Sequence, residues 1–327
     1  MKRPLYLVLP LAIIAGVWWF FQHYQIEGLE HVHIKPRDGA GRVARGARDE
    51  PPPARDGETI KIASFNIEVF GESKLAKAQV MKILADVVRR FDVVAVQEIR
   101  AAHQDVLPRF VEMVNAEGAH YDFVIGPRLG RSTSKEQYAF IFDRTRVEVD
   151  PQSVYTVDDP DDRLHREPLV AGFSVRGPPT SEAFTFTLIT IHTDPDEVPA
   201  ELAALDDVFR AVRNDGRRED DIILLGDLNA DDQHLGELGS MPYLTVAISG
   251  KPTNTLGTAL YDNFLFDSRA TTEYTRQAGV FDLLREYNLT IAEATEVSDH
   301  LPIWAEFSSR EGGVPGRLAT LPGEAKK

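Results

Sequence analysis

Acids, amides and histidines in this chain fall where its apolar runs stop. Asn66 lies inside the run 60–67, and Glu98 closes 92–98. Asp227 and Asn229 end 221–229, and Asp299 and His300 stand directly before 301–307. A carboxylate that follows five apolar strand residues is expensive to bury unpaired, and one hard cation satisfies several at once. The donors are oxygens and amides with no sulfur among them, so Mg2+ or Mn2+ suits the set better than zinc. His192 follows the apolar run that ends at Ile191, and His300 precedes another. Two imidazoles can serve as general base and general acid. Each needs an acid to fix its tautomer, and Glu136 and Asp262 are available. Spacing leaves those pairings open. For any one acid taken alone, a helix cap or a salt bridge is the plain alternative.

Elements able to position these groups are legible in the hydrophobic pattern. Strands are expected at 60–67 and 92–98, as a series between 121 and 191, and at 221–229, 261–266 and 301–307. Period-3.6 apolar faces predict helices over 75–90 (Val80, Ile83, Leu84, Val87), around 106–114 (Leu107, Phe110, Val114) and over 198–212 (Leu202, Leu205, Phe209). Many strands with few, spaced helices indicate a layered α+β sandwich. The unbroken strand series between 121 and 191 excludes a simple doubly wound sheet.

The chain has 327 residues, 43% of them hydrophobic, with no cysteine and a formal charge of −15. That length can bury a sizeable core. The missing cysteines exclude zinc fingers, thiol catalysis, iron–sulfur clusters and disulfides. Residues 59–308 hold 24 Lys and Arg against 42 Asp and Glu. Such acidity argues against a generic nucleic-acid-binding domain, because phosphate binding rests on excess Lys and Arg.

Outside that stretch, Lys2 and Arg3 precede an uncharged run, 4–21, that ends in Trp18, Trp19, Phe20 and Phe21. It is long enough to span a bilayer. Residues 1–26 therefore read as a membrane anchor, with a cleaved signal segment as the alternative. Either reading exports the chain beyond residue 26. Residues 27–58, with Pro51, Pro52, Pro53 and scattered Arg, read as a disordered linker, and 309–327 as a disordered tail. Asp158, Asp159, Asp161 and Asp162 read as a solvated loop rather than a Ca2+ site.

Eight segments occur in family order: KIASFNIEVFGESK (61–74), VVAVQEIR (93–100), GRSTSKEQYAFIF (130–142), REP (166–168), LITIHTDPDEVPAEL (188–202), GDLNAD (226–231), YDNFLF (261–266) and SDHLP (298–302). Together they resemble deoxyribonuclease I within the endonuclease/exonuclease/phosphatase superfamily, over about 250 residues, 59–308. The resemblance implies a four-layer α/β sandwich of two packed mixed β-sheets flanked by helices, with the site on one rim. Glu98 resembles the principal metal ligand. Asn66, Asp227, Asn229 and Asp299 resemble the rest of the metal and phosphate shell. His192 resembles the histidine paired with a glutamate, here Glu136, and His300 the one paired with an aspartate, here Asp262. Arg100, Arg131 and Arg166 resemble residues that contact the nucleic acid or its scissile phosphate.

The resemblance implies a Mg2+-dependent endonuclease (Mn2+ or Ca2+ as substitutes) acting on DNA, duplex before single-stranded, with little sequence preference. One histidine would deprotonate water and the other protonate the leaving 3′-oxygen, leaving 5′-phosphate products. The expected protein is a monomer held at the membrane through its N-terminal segment, with the catalytic domain exported. Glu68 stands where animal relatives have a basic residue, Ser134 where they have a tyrosine that reaches into the minor groove, and the family's disulfides are absent. The alternative activity is that of a phosphodiesterase on a lipid or small phosphodiester, similar to sphingomyelinase-like relatives. A non-catalytic domain on the same fold would lack one or more of the acids or histidines, and all are present.

Overall fold

The computed structural model describes residues 44–45, 51–131 and 135–313. In chain order, five strands come first: β1 (Ala44–Arg45), β2 (Thr59–Phe70), β3 (Val93–Ile99), β4 (Tyr121–Ile125) and β5 (Gln137–Asp143). Seven strands then form a second sheet: β6 (Val147–Val149), β7 (Tyr155–Thr156), β8 (Leu169–Val175), β9 (Thr185–His192), β10 (Ile222–Asp227), β11 (Leu244–Val246) and β12 (Asp262–Asp267). The chain returns to the first sheet with β13 (Tyr274–Val280) and β14 (Ile303–Ser308). The first sheet is ordered β1-β4-β5-β3-β2-β14-β13, the second β11-β12-β10-β9-β8-β6, with β7 on β8. Both are mixed, because β2 pairs parallel with β3 and β9 parallel with β10 while the other pairs are antiparallel.

Strand alternation makes the layers. In β2, Ile60 and Ile62 join the core between the sheets, whereas Ala63 and Phe65 join the core under the helices. The inter-sheet core is aromatic, with Phe140, Phe142, Phe173, Phe186, Phe264, Phe266 and Phe307. Outside the first sheet lie α1 (Glu72–Leu75), α2 (Ala78–Val88) and α3 (Val106–Asn115). Outside the second lies α4 (Val198–Arg213), which buries Leu202, Leu205 and Phe209 against Ile189 and Leu224. Two short helices, α5 (Leu283–Tyr287) and α6 (Ile291–Val297), precede β14. The result is the four-layer sandwich, helix–sheet–sheet–helix.

Several expectations need correction. The helix expected over 75–90 is two helices, broken at Ala76 and Lys77. Parts of the expected linker belong to the fold. Ala44–Arg45 pair with the open edge of β4, and Arg55 donates to the Thr145 carbonyl and to Asp143 (3.1 Å). A sheet edge offers unpaired backbone groups, so a stretch with no periodicity of its own can dock there. At the other end, the Ser309 N–H donates to Glu58 and the Glu311 N–H to Glu182, so the fold runs past 308. Among the described residues no helix is long and apolar enough to cross a membrane. The expected anchor (1–26), the rest of the linker and tail, and Ser134 lie outside the described residues.

Candidate active site

Parallel pairing inside each sheet brings strand ends to one rim. There β3, β9 and β10 finish with Glu98, His192 and Asp227 near their C-terminal ends, and the antiparallel β5, β12 and β14 begin at or just after Glu136, Asp262 and His300. Asp227 is in register with both His192 and Asp262. Gly226 allows this approach: its φ is +145°, and a Cβ there would lie 2.0 Å from the Ile191 carbonyl oxygen on the neighbouring strand. Glu98 (φ 61°) and Asn229 (φ 46°) hold left-handed backbone conformations that turn their side chains where a regular strand would not.

Two histidines face each other across one carboxylate oxygen. His192 Nε2 is 3.5 Å and His300 Nε2 3.4 Å from Asp227 Oδ2. Each ring is held from behind: His192 Nδ1 by Glu136 Oε1 at 2.9 Å, and His300 Nδ1 by Asp262 Oδ2 at 2.9 Å. Burial alone would lower His192, but Asp227 and Glu136 outweigh it and hold the imidazole above the usual histidine value. Burial likewise opposes charge on His300, yet Asp262 and Asp227 push it up to about 11. Glu136 is held below the usual carboxylate range, because its bond to His192 and its guanidinium neighbours Arg166 and Arg100 overcome burial.

Beside this pair lies an oxygen-rich corner. The Asn66 amide donates to Asp227 Oδ2 (3.0 Å) and to Glu98 Oε1 (3.3 Å). Glu98 Oε2 accepts from the Val69 N–H (2.8 Å) and faces Arg100 Nη2 (3.1 Å). Asp299 is exposed next to His300, and the Asn229 amide donates to the Thr193 carbonyl (3.0 Å). The expected site residues Asn66, Glu98, Arg100, Glu136, His192, Asp227, Asn229, Asp262, Asp299 and His300 thus occupy one rim. Glu98, Asp227 and Asp299 offer carboxylate oxygens without sulfur, a donor set that fits a hard divalent cation, while the expected ligand Asn66 turns its N–H toward this corner and its oxygen toward the Glu68 N–H (3.0 Å).

The arginines divide. Arg100 lies within the site, 3.5 Å from Glu136. Arg166 departs from the expected substrate contact: it is 5% exposed, its guanidinium donates to the His192 carbonyl (2.9 and 3.1 Å), and its Nε is 3.3 Å from Glu136. It holds the His192–Glu136 pair from inside the sandwich. Arg131 is clamped by Glu197 (2.6 Å) and Asp162 (3.1 Å), which tie the acidic loop 158–162 to the start of α4.

Four supporting residues escape sequence reasoning. The Thr253 hydroxyl donates to Asp262 Oδ2 (2.6 Å). Tyr138, fully buried, accepts from the His192 N–H (3.1 Å) and donates to its carbonyl (3.2 Å). The Ser298 hydroxyl donates to the Asn66 carbonyl (2.7 Å) and accepts from the His300 N–H (3.0 Å). Lys74, whose burial lowers its pKa, donates to the Ile67 (2.7 Å) and Val297 (2.9 Å) carbonyls. Ser298 and Lys74 belong to the segments SDHLP and KIASFNIEVFGESK, so the family pattern marks their positions but not their bonds. Thr253 lies outside every such segment, and Tyr138 reads as one more apolar strand residue.

Residues 63–300 match the Endonuclease/Exonuclease/phosphatase family. Deoxyribonuclease gamma of Rattus norvegicus is 29% identical over 286 residues, covering 82% of this chain and 91% of that protein. Deoxyribonuclease-1-like 1 of Rattus norvegicus is 31% identical, covering 81% and 86%. Deoxyribonuclease-1 of Bos taurus is 30% identical, covering 76% and 92%. Among solved structures, humanized D. rerio TDP2 superposes with a TM-score of 0.55 at 16% identity, covering 77% of this chain and all of that one, a likeness of fold. With the family matched across most of its length and the paired histidines on the sandwich rim, the chain belongs to the endonuclease/exonuclease/phosphatase family, as a deoxyribonuclease I-like member.

Proposed function

We propose that this phosphodiester hydrolase is a divalent-metal-dependent endonuclease that cleaves DNA with little sequence specificity. The observation that carries the reading is the convergence of two carboxylate-held imidazoles on Asp227 Oδ2, at 3.5 and 3.4 Å. A pair so placed can take a proton on one side of a phosphorus atom and give one on the other. Relatives named deoxyribonucleases at about 30% identity supply the substrate class. Glu98, Asp227 and Asp299 would hold Mg2+, which when bound neutralises charge on the phosphate oxygens and the leaving alkoxide.

In this reading His300, oriented by Asp262, takes the proton of the attacking water at Nε2. His192, oriented by Glu136, gives its Nε2 proton to the leaving 3′-oxygen, so the products carry 5′-phosphates. Asn229 and Arg100 bind the phosphate, and Arg166 and Tyr138 fix His192. Arg131 contacts the strand beyond the site once DNA displaces Glu197 or Asp162. Export and membrane anchoring rest on the apolar run 4–21 alone. Plasmid nicking by the full chain is expected with Mg2+ and should vanish in EDTA and in His192→Ala. Absence of cleavage of plasmid, single-stranded DNA and RNA in Mg2+, Mn2+ and Ca2+, with hydrolysis of sphingomyelin instead, would transfer the same chemistry to a lipid phosphodiester.

A further inference from the structure

At the rim opposite the active site, where β10 begins rather than ends, a second group of acids converges. Asp221 directly precedes β10 in the second sheet, and Glu273 directly precedes β13 in the first. Glu311 lies just past β14 and reaches across to β9, where its Oε1 accepts from the Thr185 N–H (2.8 Å) and hydroxyl (3.2 Å). One carboxylate oxygen from each of the three lies within 4.8 Å of the others. Asp221 and Glu273 are 4% and 3% exposed, and neither Asp221 Oδ1 nor Glu273 Oε2 has a hydrogen-bond partner among the described residues. The hydroxyl of Thr271 is also buried and lies against the Asp221 carboxyl, where it favours the charged form. The other Glu273 oxygen accepts from the Gly312 N–H (2.6 Å), so the carboxylate is fixed in place.

Two buried carboxylates side by side without a cation are costly. The strongest charges acting on Asp221 are Glu273 and Glu219, and those acting on Glu311 are again Glu273 and Glu219. Burial and these neighbours push Asp221 up to about 9. Buried carboxylates from two sheets, each with an oxygen that makes no hydrogen bond and all inside a ring of negative charge, form a ligand set for a hard cation. An all-oxygen set drawn from separate strand ends suits the larger, flexible Ca2+ shell better than the strict Mg2+ octahedron.

We infer that Asp221, Glu273 and Glu311, with the Thr271 hydroxyl, form a structural Ca2+ site that ties the two sheets together at the end remote from catalysis. The site adjoins the start of β10, so the cation fixes the strand whose other end carries the catalytic carboxylate Asp227.

The test uses the full chain in a Glu98→Gln background, to weaken cation binding at the active site, dialysed against EDTA and then titrated with Ca2+. A 100-fold excess over Kd should raise Tm by about 5–10 °C. Glu273→Gln and Asp221→Asn, singly and together, should abolish that rise and lower the Ca2+ bound in equilibrium dialysis by one ion per chain. Their Tm in EDTA should be no lower than the parent's, since each replaces one of two crowded buried acids with a neutral amide. Glu311→Gln changes an exposed residue and keeps the test open if the buried variants do not fold; it should raise the Ca2+ concentration needed for half the shift. An unchanged Ca2+ response in these variants, or a parent that binds no Ca2+ sensitive to them, would overturn the site and leave a shared proton between Asp221 and Glu273.

Discussion

Asp262→Asn isolates what holds His300 charged. The ring nitrogens lie 2.9 Å from Asp262 and 3.4 Å from Asp227. At an effective dielectric constant of about 20, each carboxylate stabilises the imidazolium by about 5 kcal/mol, or about 4 pKa units. Burial of the ring offsets about 4 units. Two attractions against one penalty put the group about 4 units above an ordinary histidine, consistent with the value of about 11. Removing one carboxylate should therefore return His300 to about 6–7. The assay is an imidazole 15N titration by NMR on EDTA-dialysed protein. His300 still titrating above about 9 in the variant would refute the assignment of Asp262 as its main partner. A second outcome comes from the sign of the shift. The folded value lies above the unfolded one, so the pair stabilises the protein fully below about 6.5 and loses that contribution as pH rises through about 11. The variant should lose about 3–5 kcal/mol at pH 7 and show a flatter alkaline limb in denaturant unfolding.

Glu136→Gln should leave the fold intact and lower kcat about 10²–10⁴-fold with little change in KM, because it removes the anion 2.9 Å behind His192 but no phosphate contact. Steady-state nicking kinetics decide, and a mainly KM effect would move Glu136 out of the proton relay. Gly226→Ala should destabilise by more than about 4 kcal/mol, since its Cβ would meet the Ile191 carbonyl at 2.0 Å in a left-handed conformation. A melting temperature near wild type would refute that close approach. Thr253→Ala should cost about 1–3 kcal/mol through the lost bond to Asp262, with His300 titrating at a changed pH; an unmoved titration would make Thr253 structural only.

Strand ends are legible because a polar residue after a buried run has few plain explanations. Asp227 after 222–226 and His192 after 185–191 signal themselves by type against context. The tautomer partners can be named from sequence but not paired, because Glu136 meets His192 only through the β3–β5 and β9–β10 pairings of two different sheets. Arg166 departs from expectation for a physical reason: a guanidinium is usually exposed, and only tertiary packing shows that this one is sealed behind His192. The strand β13 escapes because its sequence, Tyr274–Val280, carries Thr, Arg and Gln at its centre and Gly near its end, with half-exposed positions and no alternation. The helix α6 escapes through its shortness, although Thr290 and Glu293 form a capping box that the sequence does spell out.

Net acidity on a protein that cleaves a polyanion reflects how this rim is balanced. Five carboxylates, Glu98, Glu136, Asp227, Asp262 and Asp299, face two guanidiniums, Arg100 and Arg166, and two imidazoles. With both histidines charged the negative excess is small, and the site resembles a resting state filled with protons. A base at His300 requires that proton to leave, and a cation held beside Asp227 would favour its release by offsetting one of the two attractions that retain it. Cation binding and proton release are then two sides of one equilibrium. The Mg2+ concentration that gives half-maximal nicking should fall as pH rises from 6 to 9, by up to about tenfold per pH unit for each proton displaced. In Mg2+ the His300 titration should move down from its value of about 11. A Mg2+ requirement independent of pH, with His300 titrating at the same value in Mg2+ and in EDTA, would separate the two equilibria and assign the acidic excess to the cation alone.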